Sequence, residues 1–166
     1  MSQKLLEQNV SDEDKNTWTD IIVEDIKYYL TQCSEHDTPT QITEFCSESF
    51  PNISIGDYVD RISRYSGISL EALCYSLVYM ILYCKNTCSI LTRTNVHRLF
   101  LVGCVVASKY LDDRSLKNKF MATVGGIPTL ELNELEIVFL KDIEFDLCVS
   151  SFQYAYILVL IHQRIL

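Results

Sequence analysis

No apolar run in this chain approaches the roughly 18 residues that a membrane-spanning helix requires. The start, Met1-Ser2-Gln3-Lys4-Leu5-Leu6-Glu7-Gln8, also lacks the long apolar stretch of a secretory signal. An intracellular protein, cytoplasmic or nuclear, is therefore expected, with no membrane partner. Paired cysteine spacing is missing as well. The seven cysteines are odd in number, and Cys74, Cys84 and Cys104 fall within apolar helical patterns. Reduced, packed thiols are favoured over a disulfide framework. Positive charge is scarce: the formal net charge is −8, whereas phosphate neutralisation needs clustered Lys and Arg. Only Arg93 to Arg98 (RTNVHR) is locally basic, and it reads as the solvated start of a helix. Nucleic acid is not an expected partner.

The residue constellations of common catalytic and metal sites are lacking too. Cys84 and Cys88 could share a helix face, but no His or Cys pair at ligand spacing accompanies them. His36, His97 and His162 lie in unrelated segments. Gly125-Gly126 has no flanking Lys-Ser/Thr and follows no strand, so it is not a phosphate-binding loop. No serine sits in a nucleophile elbow. Neither an enzyme nor a resident cofactor or metal is expected.

What the chain does contain is helical periodicity. With 48% apolar residues in 166, it can build one domain with a substantial core. Trp18, Ile21, Ile22, Ile26, Tyr29 and Leu30 predict an amphipathic helix over Thr17–Cys33, with Ser11-Asp12-Glu13-Asp14 as a start signal. Ser34 to Thr40 (SEHDTPT) is a linker by composition. Phe45, Phe50 and Pro51 are placed in a loop. Ser54-Ile55-Gly56-Asp57 fits a capping box before Tyr58, Val59, Ile62 and Tyr65, and Gly67 ends that helix. Ser69 caps the next helix, which runs to about Lys85. A central helix is expected from Thr94 or Asn95 to about Leu111, and a short one from about Lys117 to Val124 before Gly125-Gly126. Another is capped by Thr129 and lasts to about Ile143. Ser150 or Ser151 opens a final helix. No segment shows sustained strand alternation, so the class is all-α: five packed helices flanked by one extra helix at each end.

The most informative stretch is Val105-Val106-Ala107-Ser108-Lys109-Tyr110-Leu111-Asp112-Asp113. Leu99 to Ala107 (LFLVGCVVA) is apolar on every face, which marks a helix surrounded by others. Lys109 follows, where a charged head is costly to bury unless paired. A candidate partner lies in Leu132-Asn133-Glu134-Leu135-Glu136-Ile137-Val138-Phe139-Leu140.

The order and spacing of Ser108-Lys109-Tyr110, the segment Phe120 to Gly126 (FMATVGG), Glu134-Leu135-Glu136, Phe139-Leu140 and Ile143-Glu144-Phe145-Asp146-Leu147 resemble a cyclin box. The resemblance covers about Ile53 to Val149 and is closest to the P/U-type, PHO-like single-box cyclins. It implies a cyclin-box five-helix bundle over 53–149. A flexible acidic N-terminus (1–16), an N-terminal helix and linker (17–52) and a C-terminal helix (150–166) would surround it. By the same resemblance the chain binds and activates a cyclin-dependent kinase, of PHO type or neuronal type, by fixing the kinase C helix in its active position.

The resemblance puts Lys109 and Glu136 together at the kinase-facing surface, with Tyr110 beside them. There an ammonium donates to backbone carbonyls and a carboxylate accepts from backbone N–H groups. Phe145 is the expected aromatic anchor. Leu140 and Leu147 match apolar contact positions but fit equally well as core leucines. The helix carrying Trp18, Tyr28 and Tyr29 can cap the box or lie against a kinase. Ile55-Gly56-Asp57-Tyr58-Val59-Asp60-Arg61-Ile62 departs from the Met-Arg-Ala-Ile-Leu run with which two-box cyclins recruit substrates. The competing functions are a cyclin-box adaptor without a kinase partner and a transcription-type cyclin fold, since fold does not fix function.

Overall fold

The structure is a computed structural model that describes residues 12–33, 43–151 and 154–155. Its helices are α1 (Asp12–Cys33), α2 (Ile55–Ser66), α3 (Leu70–Thr87), α4 (Val96–Leu111), α5 (Asn118–Gly125) and α6 (Thr129–Asp142), and no strand occurs among the described residues. The expected all-α class is observed. No helix among the described residues is long and apolar enough to cross a membrane. Ser11, the linker Ser34 to Thr40 and most of the expected final helix lie outside the described residues; Ser151, Tyr154 and Ala155 are helical.

Local chemistry sets most of the helix ends. Ser54 Oγ accepts from the Asp57 backbone N–H at 3.1 Å, and Ser69 Oγ from that of Ala72 at 3.1 Å. Each satisfies a donor that the first helical turn leaves free. Gly67 and Gly126 close α2 and α5 with φ of 72° and 76°, the left-handed conformation that favours glycine. One expected cap differs. Thr129 is the first residue of α6, behind Pro128 at the N-cap, and makes no capping bond. Asn95 precedes α4 but spends its side chain on the preceding turn, accepting from Thr92 N–H and donating to Ile90 C=O, both at 2.9 Å. Helix α1 starts at Asp12, within the start signal Ser11-Asp12-Glu13-Asp14 and upstream of the Thr17 at which its apolar spacing begins. Its buried face carries Ile22, Val23 and Ile26.

Helix α4 is the hub, touching α2, α3, α5 and α6. Every residue from Leu99 to Ser108 is buried, as a helix apolar on all sides must be. Two glycines permit this closeness. A Cβ on Gly103 would lie 2.9 Å from the Ser76 carbonyl oxygen of α3, and one on Gly125 would run into the Leu101 side chain of α4. Tyr58 Oη donates to the Gly125 carbonyl at 3.0 Å, fastening α2 to the end of α5. Outside the helices, Phe45 sits in the loop expected for it, yet its ring is wholly buried. It packs edge-on against Tyr83 (centroids 5.1 Å apart) and Phe139 (6.1 Å), which stack on each other at 5.2 Å. The segment before α2 therefore contributes to the same core as α3 and α6.

At the start of α4, His97 Nε2 lies 3.0 Å from the Ile53 carbonyl oxygen, and Nδ1 is buried without a hydrogen-bond partner. A carbonyl only accepts, so Nε2 carries the proton and Nδ1 is bare. Protonating Nδ1 would create a buried donor with no acceptor. Burial, outweighing that hydrogen bond, and the neighbouring Arg98 hold the imidazole below its ordinary 6.5. The unfolded chain thus binds the proton first as pH falls, so folding stability is full above about 6.5 and declines below it. Urea titrations from pH 7.5 to 5 should show this decline in the wild type and a smaller one in His97→Gln. A second expectation concerns Gly103→Val, which should cost about 1–3 kcal/mol by forcing α3 and α4 apart, measured by the urea midpoint.

Candidate functional site

The apolar belt of α4 ends at Ala107 and Ser108, and the next residue, Lys109, reaches the surface on the last turn. Its Nζ lies 2.6 Å from Glu136 Oε1 and 2.8 Å from Oε2. The lysine side chain is 37% exposed and the glutamate 12%, so the pair sits at a rim, neither sealed in nor free in solvent. Exposed ion pairs contribute only about 0–1 kcal/mol to folding. Holding α4 to α6 is therefore a minor part of what this pair can do.

The carboxylate has a further partner. Asn118, the first residue of α5, donates from Nδ2 to Glu136 Oε2 at 2.6 Å and to Asn133 Oδ1 at 2.8 Å. Its own Oδ1 is buried with no partner. Sequence reasoning missed this residue. The available signal was an amide at the first turn of a short helix whose N-cap, Lys117, makes no capping bond.

One helical turn beyond Glu136, Leu140 is half-buried against the core, and α6 ends at Asp142. Glu144 and Phe145 then both adopt left-handed backbone, with φ of 57° and 56°. Such conformations are uncommon outside glycine. Here two backbone bonds hold the turn: Glu144 N–H to Lys141 C=O at 2.9 Å and Phe145 N–H to Leu140 C=O at 2.8 Å. The turn leaves the Phe145 ring 63% exposed, although an aromatic of that size usually gains from burial. Leu147 follows, half-buried and packed against the core. Tyr79 Oη of α3 donates to its carbonyl at 3.0 Å. Burial, together with nearby Tyr110, Tyr75, Cys148 and Asp146, holds the Tyr79 phenol above its ordinary range. Tyr110, itself half exposed, thus lies near Tyr79.

The residues expected at the site thus come together in linked pairs. Lys109 meets Glu136 directly, Leu140 is joined to Phe145 through the backbone, and Tyr110 and Leu147 share Tyr79 as a neighbour. Leu140 and Leu147 are neither fully exposed nor fully buried. Chemically, this end of the bundle offers an ammonium, a carboxylate and an unburied aromatic ring.

The family model of cyclins matches residues 4–147. The chain belongs to the cyclin family. Among curated proteins it is 38% identical over 113 residues to Cyclin-U3-1 of Arabidopsis thaliana, covering 68% of this chain and 51% of that protein. It is 39% identical over 108 residues to Cyclin-P3-1 of Oryza sativa subsp. japonica, covering 65% of this cyclin and 46% of the relative. With Cyclin-U4-2 of Arabidopsis thaliana it shares 38% over 117 residues, 69% and 53% of the two chains. The resemblance to P- and U-type cyclins is thereby borne out, and this cyclin spans about half the length of the relatives it matches.

Tyr79→Phe should lower the stability of this cyclin by about 1 kcal/mol, the usual worth of one such hydrogen bond. Hydrogen exchange should rise around residues 145–148, with little change in α4. Unchanged exchange in that segment would show that the phenol does not tether it.

Proposed function

We propose that this cyclin is a regulatory subunit that binds a cyclin-dependent kinase of PHO type, or of the related neuronal type, and activates it. The observation that carries this reading is the accessible Lys109–Glu136 pair midway along α6, with the exposed Phe145 just past that helix's C-terminus. An ammonium and a carboxylate side by side offer a donor and an acceptor to a visiting backbone, and so grip a helix without reading its side chains. Phe145 supplies the apolar area that a charged pair lacks, with Leu140, Leu147 and Tyr110 around it.

Activation follows from differential affinity. A cyclin that binds the active placement of the kinase C helix more tightly than the inactive one shifts the kinase population toward activity. In that placement a glutamate of the C helix pairs with the kinase's catalytic lysine. The chain itself contributes no step of phosphoryl transfer in this scheme. The reduced thiols Cys46, Cys74, Cys88, Cys104 and Cys148 among the described residues fit the reducing compartment in which such kinases work.

The test uses a purified PHO-type kinase, with phosphorylation of a proline-directed peptide as the readout and calorimetry for affinity. Wild-type chain should raise the kinase's activity. Lys109→Ala and Glu136→Ala should each weaken binding at least about tenfold; the thermal midpoint should stay near wild type in Lys109→Ala, whose side chain is exposed, and fall further in Glu136→Ala, which also strips Asn118 of its acceptor. Phe145→Ala should cost about 2 kcal/mol of binding, roughly 30-fold. Wild-type affinity in both charge variants would end the assignment and leave an adaptor role without a kinase.

A further inference from the structure

We infer that Asn118 is a positioning residue for Glu136, holding its carboxylate ready before a partner arrives. The inference rests on the kinase-binding reading and adds to it a third member of the charged site, supplied by a different helix.

Placement is the first observation. Asn118 is the first helical residue of α5, one position past the N-cap Lys117, so it is not the residue that caps the helix. The amide of Asn118 instead crosses to α6, bonding Glu136 Oε2 at 2.6 Å and Asn133 Oδ1 at 2.8 Å. Meanwhile α5 begins with no side-chain cap at Lys117. The Asn118 side chain is thus committed to α6 and not to the start of its own helix.

Orientation is the second. Both partners of Asn118 are acceptors, so its amide must present Nδ2 to them, which sends Oδ1 into a buried position with no donor. A buried acceptor left unpaired is costly. A side chain selected only for stability here would be apolar. The orphan oxygen is the consequence of aiming the amide nitrogen at Glu136.

The third is the count of hydrogen-bonding capacity. A carboxylate has about four acceptor positions and an ammonium three donors. Lys109 Nζ reaches both oxygens of Glu136 at 2.6 and 2.8 Å, and Asn118 takes a further position on Oε2. The glutamate is thus pinned from α4 and α5 at once, with about one acceptor position left to meet a visiting backbone N–H. Lys109 by itself would let the carboxylate follow a mobile ammonium. Asn118 ties it to a backbone-anchored amide, and fixing a group in its bound geometry beforehand raises affinity by removing the cost of ordering it later.

The experiment is a double-mutant cycle on the full chain against a purified PHO-type kinase by calorimetry, with Asn118→Leu, Glu136→Ala and the double variant. Asn118→Ser, too short to reach Glu136, serves as a second variant should the leucine disturb folding. Side-chain amide signals of Asn118 in the free, nitrogen-15-labelled chain report the clamp directly. They should exchange slowly in the wild type and rapidly in Glu136→Ala. Asn118→Leu should weaken kinase binding about 5- to 30-fold, with an unfolding midpoint equal to or above wild type, and should add less than about twofold in the Glu136→Ala background. The positioning role is overturned if Asn118→Leu and Asn118→Ser bind like the wild type, or if either costs as much without Glu136 as with it. Wild-type binding by Glu136→Ala, with the slow amide signals present in the parent, would instead overturn the kinase-binding reading while leaving the clamp in place.

Discussion

A helix with apolar side chains all round is stable in water only if other elements cover every face of it. That demand, made by Leu99 to Ser108, organises this cyclin. Helices α2, α3, α5 and α6 each touch α4, and glycine at positions 103 and 125 lets α3 and α5 approach closely enough to leave no gap. The same constraint decides where charge can first appear. Lys109 lies where the covering helices run out, so its head group emerges at the edge of the bundle and meets a carboxylate from α6.

Around that edge several features run against stability. Phe145 is mostly exposed, two successive non-glycine residues hold left-handed backbone, and Asn118 leaves a buried acceptor unpaired. Each is a small cost, and strained or unsatisfied groups gather where a site must be held in shape. Away from this edge, His97 Nδ1 is the other buried side-chain polar atom without a partner among the described residues. The gathering of Asn118 about the Lys109–Glu136 pair midway along α6, with Phe145 just past the helix end, is what separates a working surface from ordinary helix packing. A lone surface ion pair could not make that distinction.

Membership of the cyclin family extends over nearly all of the described helices, since the match runs from residue 4 to 147. Helix α1 lies within that match, and it is tied to the box by more than apolar contact: Lys15 Nζ donates to the Ile68 carbonyl at 3.0 Å, and Thr19 Oγ1 to Ser63 Oγ at 3.3 Å. Of the two roles open to it, capping the box is therefore realised in the structure. Its outer face, with Tyr28 42% exposed, remains on the surface. The P- and U-type relatives are about twice as long as the regions they share with this chain.

Much of the fold was legible because periodicity and capping are local. The apolar spacing of α1 and α3, Ser54 and Ser69 as caps, Gly67 and Gly126 as stops, and the all-round apolar character of α4 each depend on residues within a few positions of one another. Even the meeting of Lys109 and Glu136 was foreseen, though through the ordered motifs of a known family and not through pattern. Thr129 misled, because a proline before it supplied the extended residue that a threonine cap would otherwise provide. Phe45 and Asn118 were beyond reach for a different reason. Both stand in polar surroundings with no repeat to mark them, and their roles come from groups far along the chain: Tyr83 and Phe139 for one, Glu136 for the other. Sequence by itself determined which segments are helical and which helix is central, since backbone preference and solvent exclusion act over short spans. Only the packed tertiary structure decided which way an amide faces and which ring stays in water, because those outcomes depend on distances between helices that no single helix encodes.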